Sequence, residues 1–430
     1  MGTYSQPVPE NTVFHGNVAR FFSRRPILTQ EQLTCGYELL SRMGPESVLA
    51  SLESEEIPAS STTRLPGPTH VQSGAAELAC GLPAYLPCTR EMLLGGEILH
   101  LPSERIVLEI DEELAVDREA VAACQQLHRS GYHLVLNEYL PRRETYQILP
   151  YIDTVKVDFL ATDVTRQAAI ASDMRRRGIR LLAQRVESYR QFALATRLGY
   201  QYFQGYFYLR PETLAIQDIA VNQMAYVEAM NVAHRDPYDM MALEQTILTE
   251  PTLCFRLLRY LNSAAFGVFP VYSIRHALSL LGQREIQRWI AVTVSISLSE
   301  RRAEELVNNA LTRARMCELL SRDCAIEPGE AFMTGILSLM DAMLNRPLEV
   351  VLSHLPIRSF CKDALRNDAN PLGKLLRLSV ACERGNWEEA EQYSSTLSLS
   401  EDAVWQGFSD ACGWSQNILR EHHSHKALEP

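Results

Sequence analysis

Several short apolar runs in the first half of this 430-residue chain end in, or carry, side chains that bind hard cations. Glu38 lies in GYELLSR and Glu109 ends IVLE. Asn137 and Glu138 end HLVLNE, and Lys156 and Asp158 lie in TVKVDF. Gln184 and Glu187 follow LLA, and Gln204 precedes Gly205 in YFQGYF. One polar residue at a strand end is ordinary; its repetition over successive runs is hard to explain by solubility. Carboxylates, amides and a lysine around one rim make an oxygen-rich site for Mg²⁺ or Mn²⁺. Two such ions can open a phosphodiester by binding its oxygens and lowering the pKa of a water. The lysine can position that water or help deprotonate it.

Such a rim needs a scaffold that brings strand ends together. The runs Phe21–Leu28, Cys35–Leu40, Ala84–Cys88, Ile106–Ile110, Leu134–Tyr139, Thr154–Phe159, Arg180–Val186 and Gln201–Leu209 read as strands. Helical patterns at Asp117–Arg129, Arg166–Arg177 and Tyr189–Leu198 separate several of them. Repeated strand–helix units predict a parallel sheet with helices outside it. Seven or eight units in roughly 200 residues predict a compact (β/α) barrel, whose chemistry sits at the C-terminal ends of its strands. The i, i+2 spacing of Lys156 and Asp158 puts both on one face of their strand. Residues 53–74, rich in Ser, Thr, Pro and Gly, read as a long loop.

These residues resemble a known family. FFSRRPILTQEQLTCGYELLSR is similar to the opening of EAL-type cyclic-di-GMP phosphodiesterase domains. VLEIDE, VLNEY, VKVDF, LLAQRVES and YFQGYFYLRPE follow in the family's order and spacing, so the resemblance covers nearly all of 18–215. It implies a (β/α) TIM-like barrel. The retained family positions are Glu38, in Glu38-Leu39-Leu40, with Glu109, Lys156, Asp158, Glu187 and Gln204. The departures fall among the metal ligands. Pro87 stands where the family has a ligating Asn, and proline offers no side-chain donor atom. The family's Asp-Asp pair reads Asn137-Glu138, so one anionic ligand is neutral and the other is longer by a methylene. Gln184 replaces a Glu, and Arg25 replaces the Gln before Pro-Ile.

A two-metal site depends on summed charge and fixed geometry. If each lost ligand costs about 2–3 kcal/mol of affinity or activity, little catalysis is expected to survive. No catalytic residue and no metal cofactor are therefore expected, with Glu38, Glu109 and Asn137 as a remnant metal set. The ligand-binding candidates are Arg25, Leu40, Arg42, Lys156, Asp158 and Gln204. Arg42 matches a family arginine that meets a phosphate. Arg25 and Arg185 add charge that would hold a dianionic ligand without metal. The contrary expectation is a live phosphodiesterase giving pGpG and using Mg²⁺ or Mn²⁺.

From about residue 217 the β pattern gives way to helical periods punctuated by Gly and Pro. ILTEPTLCFRLLRYLNSAAFGVFPVYSIRHALSLLG, GILSLMDAML and the GNWEEA turn resemble the HDOD domain, a relative of HD-type phosphohydrolases. The His-Asp pair of HD enzymes reads Met340-Asp341, and Met is a poor ligand for a hard cation. Asp341 is expected to cap or hydrogen-bond locally. Arg256, Arg259, Asn262 and Phe266, in the best-matching stretch, form a candidate partner-binding surface.

The full organisation expected is a tail at 1–17, the degenerate EAL barrel at 18–215, an all-helical HDOD domain at 216–415 and a polar tail at 416–430. The net charge of −11 argues against a broad surface for DNA. No CxxC pair occurs among the ten cysteines, which fits a reducing cytosol. No run is apolar enough to span a bilayer, and the opening residues do not read as a secretion signal. The resulting expectation is a cytoplasmic, non-catalytic bacterial signalling regulator of the motility or biofilm type. It would act on protein partners through the HDOD domain, with cyclic-di-GMP as its controlling ligand. A nucleotide-independent scaffold is the third reading.

Overall fold

A computed structural model describes residues 22–41, 79–211 apart from Cys80, 228–234, 238–248, 274–298, 303–353, 358–367 and 369–426, with a few isolated positions. The expected loop at 53–74, the tail at 1–17, Arg42, and the partner candidates Arg256, Arg259, Asn262 and Phe266 lie outside the described residues.

The first half is a closed eight-stranded barrel in sequential order. Its strands are β1 (Phe22–Leu28), β2 (Thr34–Ser41), β3 (Ala84–Cys88), β4 (Ile106–Asp111), β5 (His133–Asn137), β6 (Thr154–Asp158), β7 (Arg180–Gln184) and β8 (Tyr202–Phe203). The expectation of an all-parallel sheet needs one correction. β1 pairs antiparallel with both β2 and β8, while β2 through β8 run parallel. The five residues Thr29–Leu33, closed by the bonds Gln32 N to Thr29 O and Thr29 N to Leu33 O, are too few for a crossover helix. β1 and β2 therefore form a hairpin. Its register sets Arg25 opposite Glu38 and Ser23 opposite Leu40.

The outer helices are α1 (Arg90–Gly95), α2 (Arg118–Arg129), α3 (Val164–Arg177) and α4 (Tyr189–Leu198). Asp117, Asp163 and Ser188 cap the N-termini of the last three by accepting backbone N–H bonds. Ile27, Tyr85, Val107, Val135 and Leu182 form a small apolar cluster of their own, apart from the main core. Strand alternation puts the polar side chains of the next layer directly above it.

The described residues after 238 are helical, as expected: α5 (Met240–Leu248), α6 (Ile274–Leu298, broken at Gly282), α7 (Glu304–Ser321), α8 (Pro328–Leu337), α9 (Met340–Leu344), α10 (Leu348–Ser353), α11 (Ser359–Arg366), α12 (Pro371–Arg384), α13 (Trp387–Thr396) and α14 (Glu401–Lys426). The pattern at 330–343 divides into α8 and α9, and the expected polar tail from 416 is helical to Lys426. Ser415 ties α14 to α7 through Thr312 and Asn308, at 2.9 and 2.8 Å. Among the described residues, no helix is long and apolar enough to cross a membrane.

The barrel and the helices meet along β1, β2 and the end of the β8 segment. The Tyr37 hydroxyl donates to Glu305, and Asn309 Nδ2 donates to the Tyr208 hydroxyl at 3.3 Å. Arg313 binds Glu383 through two N–H bonds, at 2.7 and 2.9 Å, and both side chains are buried. The α7 face that makes these contacts (Glu305, Asn308, Asn309, Thr312, Arg313) is polar yet buried. Each group is bonded, as burial demands.

Gly335 is where α8 crosses α7. A Cβ there would lie 2.4 Å from the Ala314 Cα and backbone N. We expect Gly335→Ala to push the helices apart and lower unfolding free energy by about 1–3 kcal/mol, read as a fall in the urea midpoint of the full chain.

Candidate ligand site at the mouth of the barrel

β2, β4, β6 and the residue after β8 bring four of the expected side chains into direct contact. Lys156 is completely buried, and Glu38, Glu109 and Gln204 are nearly so. The Lys156 ammonium donates to Glu109 in a short bond and lies 3.5 Å from Glu38 Oε1. Gln204 Nε2 donates to Glu38 Oε2 at 2.7 Å. Arg25, across the hairpin, reaches within 3.9 Å of the same oxygen.

Two buried carboxylates thus share one buried ammonium. Burial pushes Glu109 up to about 8; the neighbouring Glu38 carboxylate adds to this and Lys156 opposes it. Glu38 moves the other way. Burial opposes its ionisation, but Lys156 and Arg25 outweigh that and hold it below the usual carboxylate range. Lys156 is held above its ordinary value, with both carboxylates outweighing its burial.

The other expected residues are placed separately. Asp158 is buried; its Oδ1 accepts from the backbone of Leu160 and Ala161, and its Oδ2 accepts from Arg185 Nη1 at 2.8 Å. Glu187 lies 3.6 Å from Arg210. Asn137 donates to Asp111, its register partner on β4, at 3.3 Å. Glu138 is exposed on left-handed backbone (φ 47°). Pro87 sits half-buried opposite Glu109 in the β3–β4 register. Leu40 is half-buried beside Gly385 of the helical half.

Arg185, expected to add charge for a ligand, is instead paired with Asp158. It follows β7 with φ 58°, a region that costs a non-glycine residue about 1–2 kcal/mol. Its guanidinium binds Asp158 at the end of the neighbouring strand β6. The signal available was a charged residue at a strand end, in AQRVES, with no indication of which carboxylate it would meet.

Among the described residues, no three or more His, Cys, Asp or Glu side chains are grouped so as to hold a metal ion. Buried acceptors on or next to the strand ends with no hydrogen-bond donor include Glu109 Oε2, Glu112 Oε1, Asn137 Oδ1, Gln184 Oε1 and Gln204 Oε1. A buried acceptor left without a donor costs about 1–3 kcal/mol, so such a set calls for an incoming partner. Three of these are amide oxygens, which can accept N–H or O–H groups from a ligand. In the helical half, Asp341 Oδ1 accepts from the neighbouring Ala342 N–H at 2.8 Å, the local role expected of it.

The chain thus has two parts, a closed barrel with an acid–amide–lysine mouth and a helical half. Family models divide the chain in the same order: the EAL domain matches residues 93–211 and the HDOD domain matches residues 221–344. The chain carries an EAL domain followed by an HDOD domain. The EAL match begins beyond Glu38 and Pro87, and the HDOD match ends before α12. An uncharacterized Bacillus subtilis protein, YuxH, is 27% identical over 93% of this chain and 98% of its own length. The Vibrio cholerae protein named cyclic di-GMP phosphodiesterase CdgJ is 28% identical over 93% of both chains. A solved standalone EAL protein from Vibrio cholerae O395, in its c-di-GMP-bound form, is 17% identical, with a TM-score of 0.30 over 44% of this chain and 90% of that one.

Removing Lys156 would leave two carboxylates facing each other in the lumen. Lys156→Met is expected to lower stability by about 3–5 kcal/mol in urea denaturation at pH 8. Because the folded value of Glu109 lies above its ordinary 4.5, the native state binds more protons between about pH 4.5 and 8. Its contribution to stability is full below pH 4.5 and is lost as pH rises through 8. Glu109→Gln is expected to flatten the fall in melting temperature between pH 6 and pH 9; an unchanged slope would refute this assignment.

Proposed function

We propose that this chain is a cytoplasmic signalling regulator whose barrel, at 18–215, receives cyclic-di-GMP without hydrolysing it. Its HDOD half, at 216–415, passes that state to a protein partner. The reading rests on one observation: the mouth carboxylates already have cations supplied by the chain. Glu38 and Glu109 have Lys156, Asp158 has Arg185, and Glu187 has Arg210. A divalent ion would have to displace these groups before it could bind.

Three further features support it. Pro87 and Asn137 remove donor oxygens from the metal set. The unpartnered amide oxygens suit the N–H edges of guanine. Arg25, Arg42 and Arg185 offer charge for the two phosphates. Output through Arg256, Arg259, Asn262 and Phe266 remains the proposed route to the partner.

A second reading, active hydrolysis to pGpG with Mg²⁺ or Mn²⁺, is favoured by the name of the relative CdgJ and by the unpartnered Glu109 Oε2. Calorimetry with cyclic-di-GMP, in Mg²⁺ and then in EDTA, separates the readings. Micromolar binding that survives EDTA and is lost in Arg42→Ala is the expected result. Binding only with metal, together with turnover above that of Glu38→Ala, would establish the enzyme instead.

A further inference from the structure

The C-terminus of α12 is seated on the mouth of the barrel. A helix leaves its last four carbonyls without partners inside the helix, and all four are accounted for here. Asn386 N–H donates to Ala381 O at 2.9 Å, and Gly385 N–H to Cys382 O at 3.1 Å. Gly385 makes this turn possible, with φ 66°. The other two bonds come from the barrel. Ser23 Oγ donates to Glu383 O at 2.9 Å, and Arg25 Nη2 to Arg384 O at 3.4 Å.

Ser23 and Arg25 alternate with Arg24 along β1, so both side chains lie on the same face as their register partners Leu40 and Glu38. A Cβ on Gly385 would lie 3.2 Å from Leu40 Cδ1 and 3.7 Å from Ser23 Cβ, so the helix end rests on the hairpin rim. The guanidinium of Arg25 therefore stands between two electronegative groups. One is the Glu38 carboxylate inside the mouth, and the other is the negative end of α12 outside it.

We propose that Arg25 is shared between mouth and helix, so that an anionic ligand taking its guanidinium withdraws the cap from Arg384 and loosens α12 on the β1–β2 rim. This rests on the reading of the mouth as a cyclic-di-GMP site and adds how that site reports to the helices. A phosphate offers Arg25 a charge-assisted, two-pronged partner, which a single carbonyl at 3.4 Å cannot match. By linkage, loosening the helix must favour the ligand by the same factor.

The test is amide hydrogen exchange across residues 378–390 of the full chain, with cyclic-di-GMP binding followed by calorimetry. Saturating cyclic-di-GMP is expected to speed exchange at Gly385 and Asn386 by about tenfold, the effect of losing one charge-assisted hydrogen bond. Arg25→Ala should produce the same acceleration without ligand, and the ligand should then add nothing. Gly385→Ala, which strains the turn but leaves Arg25 intact, should bind cyclic-di-GMP several-fold more tightly. Binding with unchanged or slower exchange, or a Gly385→Ala variant of unaltered affinity, overturns the shared-cap proposal and leaves the receptor reading standing. No heat of binding overturns both.

Discussion

The buried ammonium of Lys156 is the group around which the barrel's polar layer is arranged. An unpaired charge at full burial would be prohibitively destabilising. Lys156 is tolerated because Glu109 and Glu38 flank it, on strands that the barrel brings together. The same requirement orders the next groups outward. Gln204 donates to Glu38, and Arg25 approaches Glu38 from the hairpin. One cation thus fixes the orientation of side chains from β2, β4, β6 and the end of the β8 segment.

That arrangement determines what the mouth can hold. The mouth carboxylates lie beside cations of the chain itself, and Arg185 bears left-handed backbone strain while binding Asp158. Strain of this kind persists where surrounding contacts hold it in place, and functional sites are where it concentrates. The mouth also faces a second demand, because Ser23 and Arg25 complete the hydrogen bonding of α12. The barrel's chemistry and its seating on the helices draw on the same residues.

Much of this was legible in the sequence because it is local. Short β-rich runs placed the eight strands, and the i, i+2 spacing put Lys156 and Asp158 on one face. The helical patterns at 117–129, 166–177 and 189–198 began within two residues of α2, α3 and α4. The antiparallel β1 was hidden because strand direction depends on the connection: five residues at Thr29–Leu33 allow a hairpin and no crossover helix. The helical extent of 416–426 was hidden for a similar reason. Polar composition predicts fraying, while Ser415 and its neighbours pack on α7, far away in sequence. The pairing of Arg185 with Asp158, and of Ser23 with Glu383 O across a separation of 360 residues, depends on closure of the barrel and docking of the helices. No local pattern encodes either.

In the proposed reading, the chain's own cations take the place of metal at the mouth. Titrating Mn²⁺ into the protein, with the free ion followed by electron paramagnetic resonance, tests it most directly. The account predicts a free-ion signal that tracks added Mn²⁺ up to millimolar concentration in the unliganded protein. Stoichiometric loss of that signal at micromolar Mn²⁺, abolished by Glu109→Gln, would contradict it and restore the mouth as a metal centre.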